Sequence, residues 1–157
     1  MRVVEETASA GDGVSLNRTR GSHGRGLIGW AMGQVSGFVL RGRGEPSVYL
    51  VGDSVWCPAV REAIARYGPD VIVANAGAAR FNVGAAITMD APDVLELVNA
   101  APDATVVAVH MEAVNHCGLT RRALGQYLEA HGAAGRVLIP QDGETLILPM
   151  RPSSGAR

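Results

Sequence analysis

The 157-residue chain carries 14 basic and 15 acidic residues, for a formal net charge of -1, and 47% of its residues are apolar. That is one domain's length with material for a sizeable core, and the near-neutral balance argues against nucleic acid as a partner, because phosphate-tracking surfaces need a clustered cationic excess. No apolar run approaches a membrane span, and the polar, acidic start lacks the apolar segment of a secretory signal, so a cytoplasmic location is expected.

In chain order, residues 1–13 are expected to be a flexible N-terminus. Strands follow near 14–19, 35–41 and 47–51. Pro58 opens a helix over 58–67, since a missing N–H costs nothing in the first turn, and Val60, Ile64 and Tyr67 recur at helical spacing. A strand at 70–74, a helix over 92–100, a strand at 105–109 and a helix over 120–131 come next. Thr120 can cap that last helix, and Gly132 suits a left-handed end. Short strands are expected at 136–139 and 145–148, then a disordered tail at 150–157, which leaves 14–149 as the domain. The runs Val71-Ile72-Val73-Ala74 and Val106-Val107-Ala108-Val109 do not alternate with polar residues, as in strands buried on both faces of a layered α/β domain. All basic residues are Arg, which suggests a GC-rich genome, and Cys57 and Cys117, far apart and outside a CxxC pair, read as reduced thiols.

Two apolar, β-branched runs end at residues able to hold a metal: Asp53 just past Gly52, and His110 directly after Val109. Ligands bind at the carboxyl ends of strands in such sheets, so Asp53, the Asn75-Ala76-Gly77 loop and His110 should share one edge. A turn aspartate bonding its own backbone is the competing account of Asp53. His23, in the glycine-rich loop 19–26, is a candidate third ligand; His116 and Asn75 are candidate substrate contacts. His131 at a helix C-terminus needs no further role. Gly24-Arg25-Gly26-Leu27-Ile28-Gly29 fits the dinucleotide pattern GxGxxG, but that match requires a buried strand before it and a helix after it, and the glycines at 29, 33 and 37 argue against a helix. Neither Ser54 nor Cys117 lies in a recognisable nucleophile motif. Arg18, Arg20 and Arg25 can bind an anion or form a solvated face.

Taken in order, His23 in its loop, Tyr49-Leu50-Val51-Gly52-Asp53-Ser54 and Val106-Val107-Ala108-Val109-His110 resemble the later metal motifs of the metallo-β-lactamase-fold hydrolases. The likeness is to the branch with the ascorbate-phosphate lactonase-like and N-acyl-phosphatidylethanolamine phospholipase D-like proteins. The resemblance implies that His23 and His110 each hold one ion while Asp53 bridges two, with Zn favoured and Mn or Fe as alternatives. It implies an α/β fold, the C-terminal part of a four-layer αββα sandwich with a mixed sheet and flanking helices, and hydrolysis of an ester, lactone or phosphodiester. One departure stands out: the HxHxDH signature, which supplies further ligands and the group that orients the attacking water, occurs nowhere in the chain, so no catalytic residue is assigned. The chain therefore reads as an impaired portion of a hydrolase, or a non-catalytic remnant acting as a binding or assembly module. A sheet face left open on that scale implies a homo-oligomer or a second chain supplying the missing half; a coding start upstream of Met1 is the third account.

Overall fold

A computed structural model of the protein describes residues 7–9, 13–82, 84–112 and 114–148. The tail expected at 150–157, and much of the stretch expected to be flexible at 1–13, lie outside the described residues. Within that stretch Thr7–Ser9 form strand β1, antiparallel to β2 (Ser15–Ser22). β2 pairs antiparallel along its whole length with β3 (Gln34–Arg41), which takes β2 beyond the end expected from its polar sequence. Arg18 Nε donates to Ser36 Oγ across that ladder at 2.7 Å.

Between β2 and β3 lies a helix the sequence argued against, α1 (Gly26–Met32). The expectation failed because Gly29 serves close approach: a Cβ there would stand 2.4 Å from Gly24 O, so only glycine lets this turn fold back on the loop. α1 buries nothing, and Leu27 and Trp30 are 86% and 84% exposed. The GxGxxG stretch thus does follow a strand and run into a helix. The dinucleotide reading still fails, on topology: β2 and β3 are antiparallel, and no βαβ unit surrounds it.

From β4 (Val48–Gly52) onward the chain alternates: α2 (Pro58–Tyr67), β5 (Val71–Asn75), α3 (Ala91–Ala100), β6 (Thr105–Val109), α4 (Arg121–Ala130), a 3-10 turn at Ala134–Arg136 and β7 (Val137–Leu138). β4 is antiparallel to β3, and β4 to β7 are mutually parallel, so among the described residues seven strands form one mixed sheet in chain order. Right-handed crossovers that always advance in one direction put α2, α3 and α4 on a single face, where α2 packs on α3 and α3 on α4. Caps set the helix starts: Asp90 Oδ1 accepts from Asp93 N at 3.0 Å, and Thr120 Oγ1 from Ala123 N at 3.1 Å. β7 is shorter than the expected 136–139 because Arg136 belongs to the preceding turn and Pro140 has no N–H for a ladder. The strand expected at 145–148 does not form; its residues find no neighbour beyond that stunted edge, and Ile147 is 93% exposed.

The core lies on the helix side of the sheet. Register aligns Val39, Tyr49, Ile72, Val106 and Val137 in one cross-strand row, all buried against Val60, Ile64, Val94, Leu97, Leu124 and Leu128. Each such side chain contributes roughly 1.5–3 kcal/mol relative to exposure. Burial pushes the Tyr49 hydroxyl up to about 12, against the opposing effect of a hydrogen bond from Thr19 Oγ1 at 3.4 Å. The next row, Phe38, Leu50, Val73, Val107 and Leu138, points to the other face. None of α2, α3 and α4 covers it, and Leu50, in mid-strand, is 40% exposed.

Candidate functional site

The carboxyl ends of β4, β5 and β6 bring Gly52-Asp53, Asn75 and Val109-His110 to one edge of the sheet. Asn75 Nδ2 donates to Asp53 Oδ1 at 2.7 Å. Asn75, expected as a substrate contact, orients the Asp53 carboxylate and leaves the other oxygen, Oδ2, outside that bond.

His23 follows β2 directly. Its Nδ1 lies 3.0 Å from Ile87 O; a carbonyl only accepts, so Nδ1 carries the proton and Nε2 keeps its lone pair. A ring fixed in this way is prepared to ligate through Nε2. The loop is held on both sides. Ser22 N donates to the buried Ser54 Oγ at 3.0 Å, and Val55 N to Ser22 O at 2.9 Å. Arg25 pairs with Asp93, whose other oxygen accepts from Trp56 N at 3.1 Å. One carboxylate at the start of α3 thus ties the His23 loop to the Asp53 loop.

His110 is exposed and adopts φ 61, and Glu112 φ 59, a conformation that costs a non-glycine residue on the order of 1–3 kcal/mol. Arg121 sustains it: Nη1 donates to Glu112 Oε2 at 2.6 Å, Nη2 pairs with Asp142, and Nε donates to Pro140 O at 2.8 Å. Cys117 Sγ stands 3.9 Å from His110 Nδ1 and 3.5 Å from His110 O. Burial chiefly, and the charge of Asp53 in addition, raise the Cys117 thiol while a hydrogen bond at Val114 lowers it, so it stays a thiol and not an activated thiolate. Gly77 packs so tightly here that a Cβ would lie 2.3 Å from His110 O and 2.6 Å from Cys117 Sγ.

His23, Asp53 and His110 all stand at this edge, but among the described residues no three His, Cys, Asp or Glu side chains gather into a metal-holding group. By themselves these described donors do not make a complete metal-binding group. His116 is exposed and faces a neighbouring cavity with Arg80, Phe81, Asn82 and Ile87. Arg80 and Phe81 escaped the sequence reading, although a cation directly after Asn75-Ala76-Gly77-Ala78-Ala79, at the carboxyl end of a buried strand, is the signal that marks them. His131, stacked on Tyr127 at 4.1 Å between ring centres, stands apart from this edge at the end of α4.

Residues 2–111, which include His23, Asp53 and His110, match the family model described as a beta-lactamase superfamily domain, and the chain belongs to that family. The UPF0173 protein YddR of Bacillus subtilis strain 168 is 39% identical over 137 residues, covering 85% of this chain and 53% of the relative. An isothiocyanate hydrolase from Delia radicum gut bacteria superposes with a TM-score of 0.84 at 34% identity, over 95% of this chain and 60% of that one. A possible metal-dependent hydrolase from Veillonella parvula does so with 0.84 at 33% identity, over 94% and 58%. The chain spans little more than half the length of the relatives it matches. Its fold is the mixed α/β fold of the metallo-β-lactamase-type hydrolases.

Proposed function

We propose that this chain is the portion of a metal-dependent hydrolase that contributes His23, Asp53 and His110 to a divalent-metal site, the remaining donors coming from polypeptide packed against the open sheet face, whether more of the same protein, a second copy or a separate chain. The observation that carries the reading is the convergence of Asp53 and His110 at the ends of parallel strands, with His23 fixed so that Nε2 stays free. Imidazole and carboxylate donors suit Zn, Mn and Fe, with Zn favoured. The reaction is hydrolysis of an ester, lactone or phosphodiester, and similarity to the isothiocyanate hydrolase adds isothiocyanates to the electrophiles worth assaying. In this chain Asn75 would hold Asp53, Ile87 would hold His23, and His116 would face the substrate.

The test is zinc retention by equilibrium dialysis with elemental analysis, on the unsubstituted chain and on Asp53→Ala. Zinc held more weakly than in a complete site, and falling at least about tenfold further in affinity on substitution, is expected. Its absence from the unsubstituted chain would sink the hydrolase reading and favour a non-catalytic binding or assembly module, the account that the ungathered donors also suit.

A further inference from the structure

We propose that the cavity of about 450 Å³ lined by Arg80, Phe81, Asn82, Ile87 and His116 is the substrate-binding site, and that it selects small electrophiles bearing an anionic group beside an apolar one. The proposal rests on the hydrolase reading for the fate of the ligand, and on the cavity alone for what binds.

The walls are fixed by backbone. On one side of the segment 77–80, Ala78 N donates to Met89 O at 3.0 Å, Ile87 N to Ala79 O at 2.7 Å, and Ala79 N to Thr88 Oγ1 at 2.9 Å. On the other, Arg80 N donates to His116 O and Leu119 N to Gly77 O, each at 3.0 Å, with a bridge between Ala79 and Cys117. Three segments pinned in this way leave little ordering to be done when a ligand enters. The volume lies within the range of small-molecule sites, roughly 300–1,000 Å³.

Charge selects the ligand. Arg25 and Arg121 are each paired with aspartate, whereas among the described residues Arg80 has no carboxylate partner. Its guanidinium lies along bare backbone: a Cβ on Gly118 would come within 3.2 Å of Arg80 Nε and 3.3 Å of Nη2. A planar, unneutralised fork held at a cavity mouth matches the geometry of a carboxylate or phosphate. Beside it Phe81 is 51% exposed, apolar surface available to an aryl or alkyl group. Ile87 connects the two sites, since it lines this cavity while its carbonyl holds His23. A ligand anchored at Arg80 would therefore present its far end towards the His23 edge.

The experiment titrates the whole chain, freed of metal with a chelator, with phenylacetate, phenyl phosphate and neutral phenylacetamide, following amide resonances by NMR. Both anions are expected to shift residues 79–82, 87 and 116–118 and to bind roughly 10- to 100-fold more tightly than the amide, as for a charge-assisted contact; the tighter of the two identifies the oxyacid. Arg80→Met should abolish the preference and leave phenylacetamide binding unchanged, and Arg80→Lys should restore part of it. Equal affinity for acid and amide, a preference that survives Arg80→Met, or no shift with any ligand would overturn the proposal. Because no metal is present, these outcomes stand apart from zinc retention, whose failure would remove the hydrolase reading and leave the anion site intact.

Discussion

Asp93 shows how one residue can carry two loops. Its carboxylate is 5% exposed and serves Arg25 on one side and the Trp56 amide on the other, so the backbone around His23 and that around Asp53 share an anchor. Burial raises its pKa above the ordinary 3.8, outweighing the amide bond at Trp56 and the Arg25 charge. The folded chain then holds this proton more tightly than the unfolded one. The stability it contributes is full below the ordinary value and is lost as pH rises through the raised one. Chemical denaturation across the carboxylate range should show Asp93→Asn gaining on the unsubstituted chain as pH rises through that window. A trend in the opposite direction would mean that Arg25 outweighs burial. None of this was legible from sequence, since Arg25 and Asp93 meet only when α3 is laid beside the β2–α1 loop. Asp53 and His110 were legible, because a strand's end and a glycine after it are local facts; Asn75's engagement with Asp53 depends on the parallel register between β4 and β5.

At the level of elements, the sequence was readable where a helix carries its own punctuation. Pro58 and Thr120 marked α2 and α4 within a residue of their observed starts. Replacing Thr120 by alanine removes the acceptor for Ala123 N, and the unfolding midpoint in denaturant should report a loss of about 1 kcal/mol. A change below a few tenths would show that water replaces the cap at this exposed end. Propensity misled where contact decides the outcome. Gly29 lowers the intrinsic preference for helix yet is what α1 requires beside Gly24, while the apolar and β-branched residues of 145–148 form no strand because β7 gives them no edge. Pairing is a property of two segments, and the reading of one segment cannot contain it.

The whole molecule is asymmetric: helices and core on one side, a row of apolar side chains on the other. If that second face is an interface between portions of the enzyme, as proposed, sedimentation at micromolar concentration should give a species heavier than the 16.3 kDa chain. Leu50→Glu, at the exposed mid-strand position of the row, should return it to one chain while changing the stability of that chain by no more than about 1 kcal/mol. A monomeric, well-folded unsubstituted chain would remove the need for a partner. The exposed Leu27 and Trp30 of α1 add apolar surface at the far end of the same sheet. The alternation of strand and helix was legible from the change in pattern after residue 47, whereas the open face was expected only from the family resemblance, since the non-alternating strands read as covered on both sides.

Every strand in this sheet hydrogen-bonds to its immediate predecessor in the chain. Each pairing therefore closes only the loop or crossover helix between neighbouring strands, as from Ile72 to Val106. Closure entropy grows only slowly with the length of such crossovers, although parallel pairing across a helix forms more slowly than a hairpin. A sheet that grows in this order can be complete before it meets anything else. Whatever covers the open face would then meet a finished surface, with the rate of that meeting set by encounter.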